Sequence, residues 1–152
     1  MKTFLTAIVG VFITLSSFYA TAQEKIPVHP TNYNKPRLFS DVPQKINLKV
    51  SDMEFLFSYS VGSSVSAKFS KDFHFKGIIV SKADDPVVTS VVIKSTNRQG
   101  AVFTFTRIKN ENGNFIYRGR ILSRENGDAF EIVNENGQYI LQKKNDHELV
   151  LE

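Results

Sequence analysis

The chain has 152 residues, a formal net charge of +4 at pH 7, 41% hydrophobic residues and no cysteine. That is ample for one domain, and the missing thiols exclude disulfides, thiolate metal sites, cysteine nucleophiles and a lipid anchor built on cysteine. The charge is too small for a dedicated nucleic-acid binder, so nucleic acid is not an expected partner.

Residues 1–22 have the layout of a secretory signal peptide. Met1-Lys2 gives a positive start, Phe4 to Phe18 is apolar and uncharged, and Ala20-Thr21-Ala22 places small residues where a signal peptidase reads. The apolar stretch falls short of the roughly 20 residues needed to cross a bilayer core. The expectation is therefore cleavage before Gln23 rather than a retained membrane anchor, with export to the periplasm or the medium. Cleavage would leave 130 residues and a charge of +3.

Residues 23–43 read as a Pro-rich tether. Pro27, Pro30, Pro36 and Pro43 fall here, among residues with no apolar period. Proline fixes φ and removes donors, so this stretch is expected to be extended and loosely held. Leu38, Phe39 and Val42 are the residues placed to dock on the edge of the neighbouring domain.

Residues 44–152 read as a single β-rich domain. Ile46, Leu48 and Val50 alternate with polar residues, the period of a half-buried strand. Ser51-Asp52-Met53-Glu54 has the spacing of a capping box, which predicts a short helix over 52–61 ended by Gly62. Phe55, Phe57 and Tyr59 also alternate as a strand would, but the helical stripe of Met53, Leu56, Phe57 and Val61 is the preferred reading. From Ser64 onward every segment reads as a strand: 65–69, 73–82, 87–95, 101–109, 114–123, 128–133, 138–143 and 147–151. Thirteen phenylalanines and abundant valine support this.

The turns argue the topology. Asn112-Gly113, Asn126-Gly127 and Asn136-Gly137 are hairpin signals, because both residue types accept positive φ. The connections are too short for a parallel crossover or a Greek-key return. The fold class is thus mainly β: an antiparallel meander of about eight strands with one short N-terminal helix, curled or closed into a small barrel.

Register is set by keeping apolar and polar faces apart. A three-residue loop at Glu111-Asn112-Gly113 sets Phe103 against Ile121 and Phe105 against Gly119, with Thr104 and Thr106 facing Arg120 and Arg118. For the next turn, an even loop sets Ile121 against Ile132 and Ser123 against Phe130. Residues 73–82 echo 115–124, each with a mid-strand glycine at 77 or 119, which suggests either a duplicated half or a chance likeness of two amphipathic strands. Such glycines mark a bend or a close backbone approach. The expected interior is Phe73, Phe75, Phe103, Phe105, Ile121, Phe130 and Ile132, with Leu56 and Phe57 from the helix. That much aromatic volume should close the lumen.

Chemistry is sparse. His29, His74 and His147 are scattered without ligand spacing, and aligning Gly113 with the glycine of a calcium loop puts Ile108 and Gly119 at ligand positions, so no metal is expected. No nucleophile elbow or phosphate loop is present. No cofactor is expected, and an enzyme is the least favoured class. The one suggestive constellation is basic: Arg118 and Arg120 beside Thr104 and Thr106, where guanidinium and hydroxyl groups can hold a carboxylate, sulfate or phosphate. The competing reading is an ordinary solvated outer face. Together these features suggest a non-catalytic, secreted or periplasmic binding module for a protein or polyanionic macromolecule. The alternatives are a carrier of a small apolar ligand inside the barrel and, less favoured, an enzyme with its site at the barrel mouth.

Export has a direct check. Intact-mass measurement of the exported protein is expected to give a chain starting at Gln23; a membrane-bound product that retains Met1 would exclude the signal peptide.

Overall fold

The computed structural model describes residues 35–123 and 125–145. The expected signal peptide, the tether up to residue 34 and the expected strand 147–151 lie outside the described residues.

Eight strands form one antiparallel sheet: β1 (Lys45–Leu48), β2 (Ser64–Lys68), β3 (His74–Asp84), β4 (Val88–Ser95), β5 (Ala101–Lys109), β6 (Phe115–Ser123), β7 (Asp128–Glu135) and β8 (Gln138–Asn145). From β2 to β8 each strand pairs with the next, as the short connections require. β1 instead pairs with β8, Lys45 opposite Gln142 and Leu48 opposite Tyr139. The sheet order is thus β1-β8-β7-β6-β5-β4-β3-β2, with β1 and β2 as its edges. Those edges do not pair, and the sheet is a curled half-barrel rather than a closed one.

The link between the edge strands is helical, but not the α-helix expected over 52–61. It is a 3-10 helix, Val50–Ser58, and no side chain caps its start. Ser51 Oγ lies 3.4 Å from its neighbour Asp52, so the capping box does not form. Val50, Met53 and Leu56 recur every three residues, the turn of a 3-10 helix, and all three pack into the core. Phe57 comes next and stacks on Phe105, with ring centroids 4.9 Å apart. Lys82 closes the far end by donating to the Phe57 carbonyl at 2.6 Å. Lys82 faces inward because a bulge at Ile79–Ser81 inserts Val80 and flips the alternation beyond it.

The interior matches the expected set. Phe73, Phe75, Phe103, Phe105, Ile121, Phe130, Ile132, Leu56 and Phe57 are all buried. The rings form a continuous column from Phe130 through Phe73, Phe69, Phe103 and Phe105 to Tyr117 and Tyr139. Edge and stacked arrangements at these separations each add to plain area burial.

The β5–β6 register is the one predicted: Phe103 opposite Ile121, Phe105 opposite Gly119, Thr104 opposite Arg120 and Thr106 opposite Arg118. The β6–β7 register is not. Ile121 faces Phe130 and Gly119 faces Ile132, two residues away from the expectation. Both registers keep the apolar residues inside, so alternation does not separate them. The loop decides. Asn126 is buried, donating to Ser123 Oγ, and Gly127 donates its N–H to the Pro36 carbonyl. Asn126-Gly127 is therefore not a two-residue turn, whereas Asn136-Gly137 is, with both residues at positive φ.

Of the segment expected to be a loose tether, the described residues 35–43 form a plug: Leu38, Phe39 and Val42 dock, as expected, but into the core rather than on its edge. Phe39 is completely buried, its ring on Phe73 and Phe130 at 6.1 and 5.3 Å. Long side chains satisfy the backbone around it. The Asp128 carboxylate accepts the N–H groups of Leu38 and Phe39 at 2.7 and 2.8 Å. Lys143 donates to the Phe39 and Val42 carbonyls, and Arg98 to the Leu38 carbonyl and, bidentately, to Asp41. That pairing with Arg98 holds the Asp41 carboxyl below its usual range, while burial pushes the Lys143 amine down.

Gly77 and Gly119 are close approaches, as expected. A Cβ at Gly77 would lie 2.4 Å from the Lys94 carbonyl oxygen; one at Gly119 would lie 2.8 Å from the end of the Ile132 side chain and 3.0 Å from the Thr104 oxygen. Overpacking costs about 1–3 kcal/mol, more than the few tenths to 1 kcal/mol alanine gains by restricting the unfolded chain. Gly77→Ala is expected to lose more stability than Gly119→Ala, since fixed backbone cannot yield as Ile132 can. Urea midpoints check the order; two wild-type midpoints would rule out close approach.

Candidate functional site

The anticipated basic face exists as a trough on the outside of the sheet. Outward residues of β5 to β8 line an open concavity of about 680 Å³, among them Thr104, Thr106, Arg118, Arg120 and Lys144. All four residues singled out from the sequence are present, because the β5–β6 register is as expected. They are not equally available. Glu131 lies directly opposite Arg120 in the true β6–β7 register and accepts from its Nε and NH2 at 3.0 and 2.9 Å. The expected register would have set Val133 there, so the partner of Arg120 was hidden by the two-residue slip. Thr106 shares its hydroxyl with Ser90 at 3.0 Å.

Arg118 differs. It is exposed, and among the described residues it makes no hydrogen bond or ion pair. The same holds for Lys144, which sequence reasoning did not single out. Its signal was present: Lys144 is the outward neighbour of inward Lys143 on β8. Thus two cations, the Thr104 hydroxyl and the apolar surfaces of Leu122 and Val133 share one trough with a neutralised Arg120–Glu131 pair.

A second polar cluster lies at one end of the barrel, where the 3-10 helix meets β5 and β6. Tyr117 donates a short hydrogen bond to Glu54, and the Tyr117 N–H donates to the Tyr139 hydroxyl at 3.2 Å. Arg107 lies 3.6 Å from Glu54, its guanidinium between the rings of Phe57 and Phe115. None of these was foreseen as a cluster. Alternation does place Arg107 and Lys109 on the same face as Phe103 and Phe105, which carried the signal.

No protein-family model, characterised protein or solved structure matches this chain.

The Tyr117 phenol is pushed up from 10.0 to about 12, first by burial and then by its bond to the Glu54 carboxylate. A group whose folded value lies above its unfolded one stabilises the fold below the unfolded value and loses that contribution as pH rises through the folded one. Stability is expected to decline between pH 10 and about 12, and Glu54→Gln to lower the phenolate titration of Tyr117. Ultraviolet titration of the folded protein checks this; tyrosines all ionising together near pH 10 would contradict it.

Proposed function

We propose that the protein is an exported, non-catalytic binding module that recognises an acidic macromolecule through the trough on its outer sheet face. The export part rests on the N-terminal sequence. The binding part rests on one observation above all: Arg118 and Lys144, neither with a hydrogen bond or ion pair among the described residues, line the same open concavity, flanked by a hydroxyl and apolar side chains. An exposed cation is not itself a site. Two cations on β6 and β8, with β7 between them, held on one sheet beside neutral hydrogen-bonding groups, give a spaced pattern that a chain of carboxylates or sulfates can match. The trough is open rather than enclosed, which suits a polymer lying across the strands. The ring-filled interior speaks against the alternative of an apolar ligand carried inside the barrel.

Poly-glutamate is a suitable probe. Reversing both cations, Arg118→Glu with Lys144→Glu, is expected to weaken binding by about tenfold, since exposed ion pairs contribute about 0.2–1 kcal/mol each and reversal adds repulsion. The control is Lys71→Glu with Lys76→Glu, which changes net charge equally away from the trough. Equal losses in the two double variants would show that only net charge matters and would overturn the assignment.

A further inference from the structure

We propose a second binding site at the mouth of the half-barrel beside Arg107, for a small carboxylate that carries an apolar or aromatic group. The mouth holds a concavity of about 350 Å³ between the β3–β4 turn and the ends of β5 and β6. That volume lies within the small-ligand range of about 300–1,000 Å³.

Arg107 is the centre of this site. Its guanidinium carbon sits 5.2 Å from the Phe57 ring centroid and 4.6 Å from that of Phe115. Two rings thus hold the guanidinium by cation–π contact, an interaction that uses none of its N–H donors. Among the described residues those donors make no hydrogen bond. The nearest carboxylate, Glu54, is 3.6 Å away and already accepts from Tyr117. Arg98 shows how a structural arginine of this protein behaves, spending its donors on Leu38 and Asp41. Arg107 has only the long ion pair to Glu54 and, among the described residues, no hydrogen bond. A planar fork with unspent donors matches a carboxylate bidentately.

Thr89 is an independent second observation. It lines the same concavity, and its hydroxyl has no hydrogen bond among the described residues. No side-chain polar atom of the described residues is both buried and unpartnered, so this hydroxyl reaches the surface of the concavity, where a ligand can meet it. The second oxygen of a carboxylate on Arg107 would accept from it.

The surroundings set the ligand's charge and body. The turn acids are engaged: Asp85 accepts the N–H groups of Val87 and Val88, and Asp84 lies 3.5 Å from the Lys82 amine. Arg107, Lys109 and Lys82 balance Glu54, Asp84 and Asp85, so the mouth is near neutral as a whole. Near-neutrality admits one negative charge and gives a polyanion no advantage, unlike the outer trough. Phe115 and Val87 are 44% and 53% exposed at the rim, an apolar surface for the rest of the ligand.

The test is a pair of matched probes, benzoate and neutral benzamide, titrated into the full exported chain by NMR. Benzoate is expected to shift the signals of Thr89, Arg107 and Phe115 saturably in the millimolar range, with benzamide at least tenfold weaker. Arg107→Gln and Thr89→Val are each expected to weaken benzoate by about tenfold. Thr89→Val preserves shape, so it keeps the test valid if Arg107→Gln fails to fold. The proposal is overturned if benzoate gives no saturable shift, if benzamide binds equally, if Thr89→Val binds as wild type, or if the shifts centre on Arg118 and Lys144.

Discussion

An open eight-stranded half-barrel leaves a concave face of phenylalanine rings that must be covered, and the cover is an irregular segment. Burying such backbone is costly unless each polar group finds a partner, at about 1–3 kcal/mol for each one left bare. Five groups around Phe39 are at stake: the N–H of Leu38 and Phe39 and the carbonyls of Leu38, Phe39 and Val42. Left unpaired, they would outweigh the roughly 1.5–3 kcal/mol gained by burying one phenylalanine. Asp128, Arg98 and Lys143 remove that penalty. Their placement then dictates much else. Asp128 turns inward at the start of β7, next to the loop that decides the β6–β7 register, and that register puts Glu131 against Arg120.

The two ends of the half-barrel are finished in different ways. At the Phe39 end the polar groups are consumed by the plug, so the ring column is sealed. At the other end the 3-10 helix covers the rings with Leu56 and Phe57, and its polar residue Glu54 ties down Tyr117. There Arg107 and Thr89 line an open concavity and make no side-chain hydrogen bond among the described residues. The outer face is shaped by the same strands. Gly119 admits the Ile132 side chain and the Phe103 ring on its inner side, while its neighbours Arg118 and Arg120 project into the trough. Core packing and the candidate binding surface are thus opposite faces of the same short stretch of β6.

How far the sequence could be read depended on whether a wrong answer carried an energetic penalty visible locally. In β5–β6 a one-residue slip would bring arginine against phenylalanine, so the pairing and the Thr104, Thr106, Arg118 and Arg120 face were legible. In β6–β7 a two-residue slip keeps every apolar residue inside, and the choice fell to Asp128 and Asn126, whose partners are remote or look like ordinary turn residues. The candidate site inherited both outcomes. Its position was readable, whereas the loss of Arg120 to Glu131 and the gain of Lys144 were not. Arg107 was in view as an inward position of β5, but only the structure sets it over the rings of Phe57 and Phe115 with no hydrogen bond among the described residues.

The sequence by itself determined the β class, the inward faces of the long strands, the antiparallel meander from β2 to β8 and the two turns at Gly113 and Asn136-Gly137. These rest on alternation, turn chemistry and connection length, all of which act within about ten residues. Tertiary structure decided the place of β1 beside β8, the 3-10 form of the helix and the burial of Phe39. Each depends on contacts between distant parts of the chain: β1 on a partner at the other end of the sheet, the helix on the ring column beneath it, and Phe39 on a carboxylate 89 residues away. Proline-rich composition marked residues 23–43 as unable to form regular structure, which residues 35–43 bear out. It did not show that an irregular segment can be buried once long side chains replace the water around its backbone.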